Sequence, residues 1–379
     1  MSRRISFVFI CFSILFSIIL LKLFFLQVVS FEDLRALAEK QRSTEFPIFA
    51  SRGRIVASDG SPLVINQKTY GVYLEPKNIE DEKKMVDILS KELEIPSASI
   101  AGKLIDRSLL WLPVIHQIAE TKMKSLKSYK LKGLGFIDET KRYYPEGSMA
   151  ASLLGFVGKN SNGDDQGYFG LEGYYNQQLK GRDGRIIQEV DPSGNPILSG
   201  EHQKIPAENG RDLKLFLDKT VQFIAEKQLM KGIEIYGAKG GSVIIMDPRS
   251  GGILAMTSYP SYEPDSYQKY LSELYKNPAV SESYEPGSTF KVLIMAAAIN
   301  EGKVKPDTVV DEDGPVEIGG YKINTWNQKY HGKISLSQVL DYSSNVGMVF
   351  VEKKLDKDIY LRYIENLGFG KVTGVDLQD

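Results

Sequence analysis

The sequence predicts an α+β protein with a single N-terminal transmembrane helix, an elongated β-rich domain, and a second domain that mixes helices and strands. Three observations indicate this class: a long apolar run at the start, alternating apolar and polar residues over 48–76, and an amphipathic helix followed by two β-rich runs after residue 210. The length of 379 residues suits two or three domains. We predict the divisions 1–30, 31–209 and 210–379.

The composition excludes several classes of protein. The chain is 42% hydrophobic and 25% charged, so it can bury a core and is not disordered. Its net charge of -1 argues against a nucleic-acid binder, which usually carries a basic excess. The single cysteine, Cys11, excludes a disulfide framework and a multi-cysteine zinc site. His116, His202 and His331 lie far apart without ligand spacing, so no metal centre is predicted.

The apolar run, Ile5–Val29, is the predicted membrane anchor. Only Lys22 is charged within it, and about 25 residues at ~1.5 Å each can span a ~30 Å hydrocarbon layer. Arg3 and Arg4 precede the run and acidic residues follow it, so the N-terminus is expected in the cytoplasm and the rest outside. A cleaved signal peptide is the alternative, but the run exceeds the usual ~7–15 residues and no small-x-small site follows.

Each later element has a local signal. Residues 31–46 place apolar side chains at helical spacing, and Asp59-Gly60 is typical of a hairpin turn. Residues 80–130 show helical periodicity with many lysines. The segment between Ile205 and Arg211 has a loop-like composition, and we place a domain boundary there. After it, Asp218 is a candidate N-cap for an amphipathic helix, and residues 240–260 form two β-rich runs around a turn.

The sharpest chemical signal is Ser288 and Lys291 at the start of an apolar helix. Their spacing of three places both side chains on one helix face. Burial of Lys291 would favour its neutral form, which can act as a base for the serine hydroxyl. The pattern alone is weak: Ser266 and Lys269 also fit it, but polar residues follow them and predict a surface site. The competing interpretation of Ser288 is an ordinary helix N-cap.

A second element supports the chemical interpretation. Ser343-Ser344-Asn345 follows an amphipathic helix and matches the S-x-N element that penicillin-recognising serine acyltransferases place opposite the Ser-Lys pair. In that role, the hydroxyl of Ser343 relays a proton, and the amide of Asn345 binds a substrate carbonyl and holds the lysine. Taken alone, Ser-Ser-Asn is more often a turn or a cap.

Together these residues resemble the class B penicillin-binding proteins, membrane-anchored D,D-transpeptidases of bacterial cell-wall synthesis. The motif EPGSTFK is highly specific in this context. The Ser-Ser-Asn-Val-Gly sequence is more similar to the division (septal) branch than to the elongation branch. The similarity runs along the chain, through Leu21–Val29, Arg52–Leu63, Arg142–Gly158, Gly167–Gly184 and Glu285–Lys291.

The resemblance implies a mechanism and a location. Ser288 would be the nucleophile, Lys291 its base, Ser343 the proton relay and Asn345 the substrate and lysine ligand, without any metal or organic cofactor. The substrates would be stem peptides on lipid-linked peptidoglycan precursors, and β-lactams would acylate Ser288. The protein would sit in the inner membrane as a single-pass protein with its catalytic domain in the periplasm.

Residues 31–209 would be the family's non-catalytic pedestal, preceding a transpeptidase domain with the serine β-lactamase-like α/β fold. The resemblance implies that the pedestal docks a membrane glycosyltransferase of the SEDS type and other divisome proteins. Its Arg52, Arg142 and Glu172 are predicted to be structural ion-pair or hydrogen-bond groups rather than catalytic ones.

One family element has no counterpart in the sequence. The third motif, Lys-Thr-Gly on a sheet strand, lies well downstream of S-x-N in the family, and Lys371-Val372-Thr373-Gly374 is too close to Asn345 to replace it. We therefore expect a C-terminally truncated or incomplete sequence whose transpeptidase domain is incomplete. The missing strand would supply substrate-carboxylate binding and one oxyanion-hole donor, whose loss typically costs ~10²–10³ in rate. Its loss should also prevent the domain from folding properly, so such a fragment alone is predicted to be inactive.

Two other classes of function remain open at this point. A non-catalytic membrane scaffold of cell division would use only the pedestal, but the intact Ser288, Lys291, Ser343 and Asn345 argue against it. A β-lactam-hydrolysing or sensing protein would share the Ser-Lys chemistry. The long pedestal and the absence of a cytoplasmic signalling domain before the anchor argue against that class.

Overall fold

The computed structural model describes residues 3–35, 43–104, 109, 111–161, 163–189, 197 and 202–378. The contacts divide the chain into two compact units. The first comprises Met1–Val280 with Leu377–Asp379, and the second comprises Ser281–Asp376. The domain divisions at residues 30 and 209 stay a prediction.

The N-terminal apolar run is a helix, as predicted. Helix α1, Arg3–Phe24, continues as a π-helical turn over Phe25–Val29. Within this segment the 23 residues Phe7–Val29 are long and apolar enough to cross a membrane, and none of that stretch is buried inside the protein. At ~1.5 Å per residue they reach about 35 Å, which exceeds the roughly 30 Å of a hydrocarbon core.

The first strand lies where the sequence predicted a helix. The helix prediction for residues 31–46 falls partly outside the described residues, and its end is wrong because β1, Ser43–Ile48, is a strand. This strand pairs antiparallel with β8, Gly184–Glu189, which pairs in turn with β9, His202–Ile205. Residues 43–48 form a strand because they pair with β8, although residues 31–46 have apolar side chains at helical spacing.

A five-stranded sheet forms the centre of the first unit. Its long strand β3 pairs antiparallel with β2, β4 and β5, while β10 lies parallel to β2. The strands are β2 (Ile55–Val56), β3 (Pro62–Leu74), β4 (Leu112–Ile118), β5 (Leu134–Tyr143) and β10 (Leu213–Lys214). The predicted hairpin turn joins β2 and β3: Asp59 Oδ1 accepts from Ser61 N at 2.9 Å, and Gly60 has φ +86°.

Helices cover this sheet, although residues 80–130 are not helical throughout as the periodicity suggested. Helices α2 (Glu82–Leu93), α3 (Ser97–Lys103) and α4 (Glu120–Ser128) form there, with β4 between α3 and α4. The buried side chains of α2, among them Leu89, pack with those of β3 and β4 into one core. Strand β4 was missed because its partner β3 lies far away in the sequence.

The three pedestal residues predicted to be structural form a buried triad. Glu172 is fully buried and accepts from Arg52 Nε at 2.7 Å and from Arg142 Nε at 2.6 Å. The two guanidinium groups also donate to the side chains of Asn176 and Asn66, at 2.9 and 2.8 Å. A buried carboxylate requires such partners, because its desolvation is costly without them.

The rest of the first unit contains the predicted helix and hairpin. Helix α8, Lys219–Tyr236, is capped by Asp218, whose Oδ1 accepts from two backbone N–H groups at 2.8 and 3.0 Å. Strands β11, Gly241–Met246, and β12, Ile253–Tyr259, form the antiparallel hairpin. The other elements are β6 (Phe156–Lys159), β7 (Asp165–Tyr168), α5 (Ala151–Leu154), α6 (Gly170–Tyr174), α7 (Asn176–Lys180) and α9 (Pro278–Ser281).

The second unit is a small helical body with two short pairs of antiparallel strands. Residues Ile294, Met295, Ala297 and Ala298 of α10 are buried in its core, which also takes side chains from β13, β16, α11 and α12. The elements are α10 (Lys291–Asn300), β13 (Val309–Glu312), β14 (Val316–Ile318), β15 (Tyr321–Ile323), β16 (Gly332–Ser335), α11 (Leu336–Asp341), α12 (Asn345–Glu352) and α13 (Lys357–Asn366).

Candidate active site

Ser288 and Lys291 lie in one continuous helical segment. Gly287–Phe290 forms a single 3-10 turn, and α10 follows it directly. Gly287 has φ +59°, a left-handed conformation that glycine adopts without strain. The α-helix begins at Lys291 rather than at Ser288, but the two side chains still lie about one turn apart.

The competing N-cap interpretation of Ser288 is wrong. Pro286 precedes the 3-10 turn and Phe290 precedes α10, and neither helix start has a side-chain capping bond among the described residues. Ser288 lies inside the turn, and its side chain is exposed. Its hydroxyl is therefore accessible to a substrate.

Ser343 occupies a tight junction between two helices. Helix α11 ends at Asp341, Ser343 follows with φ +53°, and α12 begins at Asn345. The left-handed conformation is uncommon for a residue with a side chain. Ser344 is buried and caps α12, since its Oγ accepts from Gly347 N at 2.9 Å. The capping interpretation of Ser-Ser-Asn therefore holds for Ser344, whereas Ser343 and Asn345 contact Lys291.

The Lys291 amine joins the two motifs. Its Nζ lies 2.7 Å from the Ser343 carbonyl oxygen, 3.1 Å from Ser343 Oγ and 2.7 Å from Asn345 Oδ1. A charged amine would donate to all three oxygens. A neutral amine has a lone pair, and of these three groups the Ser343 hydroxyl alone can donate to it. The contact between Nζ and Oγ is therefore a path along which a proton can pass.

Partial burial of Lys291 disfavours its charged form. Lys291 is half-buried, and this burial lowers the pKa of its amine below the usual range for lysine. The Asn345 amide that holds it is itself fixed, because Nδ2 donates to the Asn324 carbonyl at 2.8 Å. In this structure both ends of the amide bind protein atoms, so binding of a substrate carbonyl by Asn345 stays a prediction.

A cavity of about 480 Å³ lies beside this network. Its walls include both Ser288 and Ser343, so the predicted nucleophile and the predicted relay face one space. The described hydrogen bonds of Lys291 all go to Ser343 and Asn345, and none of them goes to Ser288. The other residues of the wall are Trp326, Asn327, His331, Asp341 and Tyr342.

The second Ser-Lys pair has different surroundings. Ser266 lies in a 3-10 segment, Pro264–Lys269, and its Oγ donates to the Glu263 carboxylate at 3.2 Å. Lys269 is exposed, as the polar sequence after it predicted. Ser266 therefore has no partly buried lysine amine three residues after it, whereas Ser288 has Lys291.

The sequence did not predict the wall residues Trp326, His331 and Tyr342 or the buried Glu312 behind them. In the sequence, His331 is one of three widely separated histidines. Its partnership with Glu312 follows from the antiparallel pairing of β13 and β16, which places Glu312 opposite Gly332. Recognising these two short runs as paired strands would have brought the histidine and the carboxylate together.

Comparison with known proteins agrees with this architecture. Residues 47–215 match the family model described as penicillin-binding protein dimerisation domain, and residues 241–379 match the penicillin binding protein transpeptidase domain. The stage V sporulation protein D of Bacillus subtilis is 33% identical over 99% of this chain and 58% of its own length. An FtsI homolog of Mesostigma viride, described as a peptidoglycan D,D-transpeptidase, is 30% identical over 97% of this chain and 62% of its own.

Solved structures show the same fold. Penicillin-binding protein 2X of Streptococcus thermophilus superposes with a TM-score of 0.66 at 27% identity, over 86% of this chain and 52% of that protein. PBP2 of Helicobacter pylori, solved in complex with MreC, gives a TM-score of 0.70 at 22% identity, over 89% and 68%. The chain belongs to the class B penicillin-binding proteins, as its motifs predicted. It spans about three fifths of the length of these two curated relatives.

Proposed function

We propose that the protein is a peptidoglycan D,D-transpeptidase that works through an acyl-enzyme on Ser288. The observation that carries the proposal is the contact of Lys291 with both Ser343 and Asn345 beside a cavity that Ser288 shares. The names of the relatives support the reaction class. Because the chain covers less than two thirds of those relatives, the activity is proposed for the native membrane protein.

The first half of the reaction forms the acyl-enzyme. The neutral Lys291 amine takes the proton of the Ser288 hydroxyl, and Oγ attacks the carbonyl of the penultimate D-alanine of a stem peptide. The resulting amide cleavage needs a proton on the departing terminal D-alanine. Ser343 delivers this proton from Lys291 along their 3.1 Å contact, and Lys291 is neutral again at the end of the step.

The second half transfers the acyl group. An amine of a neighbouring stem peptide attacks the Ser288 ester, loses a proton to the same Lys291–Ser343 pair, and forms the cross-link. The proton returns to Ser288 Oγ as the ester bond breaks. β-Lactams would undergo the first half only: Ser288 Oγ attacks the strained amide, the ring C–N bond breaks, and the nitrogen takes the proton. This leaving amine stays tethered to the acyl group, where it hinders attack by a second stem peptide.

A cross-linking assay tests the proposal. The native membrane protein is given a lipid-linked precursor with a D-Ala-D-Ala stem, and D-alanine release and cross-linked product are measured. We expect Ser288→Ala to abolish both, while the matched change Ser266→Ala at the second Ser-Lys pair leaves them intact. Equal activity in the Ser288→Ala protein would refute the assignment, and absence of activity in the unmodified protein would favour a scaffold.

The location and partners form a further part of the proposal. We infer a single-pass inner-membrane protein with Arg3 and Arg4 in the cytoplasm and the remainder in the periplasm, and a pedestal that docks a SEDS-type glycosyltransferase and divisome proteins. The apolar segment Phe7–Val29 supports the anchor, and the family resemblance supports the partners. Two reporters are fused after residue 35, one that is active only in the periplasm and one that is active only in the cytoplasm. We expect activity from the periplasmic reporter alone; activity from the cytoplasmic reporter alone would show the opposite orientation.

A further inference from the structure

A buried carboxylate lies behind the wall of the candidate active site. Glu312, the last residue of β13, is fully buried in the second unit. Its Oε2 accepts from His331 Nδ1 at 2.7 Å and from His331 backbone N at 3.2 Å, and its Oε1 has no partner among the described residues. A buried carboxylate is costly unless paired, so breaking the contact with His331 would leave Glu312 buried without its partner.

His331 in turn supports the residue that precedes Ser343. Its imidazole ring stacks on the ring of Tyr342, with the centroids 4.2 Å apart and the planes inclined by 16°. The backbone carbonyl of Tyr342 accepts from Trp326 Nε1 at 3.3 Å. Tyr342 is therefore held both at its ring and at its backbone.

Ser343 follows Tyr342 directly in the chain. With φ +53°, Ser343 adopts a backbone conformation that residues with side chains rarely adopt. In that conformation its carbonyl and its hydroxyl both contact Lys291, at 2.7 and 3.1 Å. A small rotation at this junction would separate one or both groups from the amine.

We infer that the Glu312–His331 pair is a positioning element that holds Ser343, through Tyr342, in contact with Lys291. The inference deepens the proposed function and rests on it. Glu312 anchors the pair in the core, His331 transmits its position by stacking, and Ser343 carries the effect to the proton path. His331 lines the cavity, but in this role it acts through Ser343 rather than on the substrate.

The test measures the rate at which the native membrane protein is acylated at Ser288 by a labelled penicillin. We expect His331→Ala and Tyr342→Ala to slow acylation about 10- to 100-fold, since a misplacement of ~1 Å can cost ~10²-fold. Tyr342→Phe keeps the stacked ring and should recover most of the rate lost in Tyr342→Ala. The control is His116→Ala, because His116 also binds a glutamate, Glu139, at 2.7 Å but in the first unit. It should leave the rate unchanged.

Two further readouts separate positioning from simple loss of folded protein. The fraction of molecules labelled at completion should stay close to that of the unmodified protein while the rate falls. In addition, His331→Ala combined with Ser343→Ala should lose less rate than the product of the two single losses, because both changes act on the contact between Lys291 Nζ and Ser343 Oγ.

Each outcome has a distinct meaning. Unchanged acylation in His331→Ala, or losses that multiply in the double variant, would overturn the positioning role while the proposed function stands. If the unmodified protein is not labelled at Ser288, the proposed function fails and this inference fails with it.

Discussion

Lys291 combines partial burial with three oxygen neighbours, and its protonation decides whether it can act as a base. Burial lowers the pKa of the Lys291 amine, and an amine can accept a proton only in its neutral form. The neutral fraction rises as the pH rises through the pKa, so a lowered pKa moves this rise toward neutral pH.

The acylation rate should therefore increase with pH and level off below the range in which a free lysine titrates, near 10.4. Lys291→Arg should lose about 10²–10⁴ in rate at every pH, because arginine stays charged. Stopped-flow acylation by penicillin across a pH series measures both effects. A rate that falls with rising pH, or an active arginine variant, would exclude Lys291 as the base.

Substitutions of two adjacent serines should have different effects, one on the acylation rate and the other on stability. Ser343 contacts Lys291, whereas the buried Ser344 caps α12. Ser343→Ala should slow acylation with little change in thermal stability. Ser344→Ala should cost about 1 kcal/mol of stability, typical of a lost N-cap, and the folded protein should still be acylated. Thermal unfolding and acylation rates of the two variants check this; equal effects on both properties would contradict the assignment.

At the scale of elements, the sequence predicted correctly the turns, caps and hairpins that depend on nearby residues. The turn at Asp59-Gly60 and the Asp218 cap of α8 depend on residues within a few positions of one another, and the strands of the β11–β12 hairpin follow one another across a short turn. Strand β4 and the Glu312–His331 pair depend on partners that only the folded sheet brings close. The resemblance to the family predicted that Lys291 lies close to Ser343. Helical spacing could not predict this contact, because the two residues lie 52 positions apart and not on one helix.

The buried triad of the first unit should dominate its stability. Glu172→Ala would leave the guanidinium groups of Arg52 and Arg142 buried without their carboxylate. We expect a loss of about 3–5 kcal/mol, the usual cost of removing one partner of a buried ion pair. The control Asp138→Ala removes only the exposed pair with Lys68 and should leave the unfolding midpoint unchanged. Equal midpoints for the two variants in denaturant unfolding would show that the triad contributes little.

At the scale of the whole molecule, the order of segments was predictable because each has its own composition and motifs. The apolar helix, the pedestal motifs and EPGSTFK together indicated the family that both domain matches support. The domain boundaries at residues 30 and 209 stay predictions. The role in septal division rather than in elongation also stays a prediction.

The most direct test of the central claim is the intact mass of the native membrane protein before and after reaction with penicillin, followed by mapping of the modified peptide. The account predicts one penicilloyl group per molecule on Ser288. An unchanged mass, or an adduct on Ser266 or Ser343 instead, would contradict it.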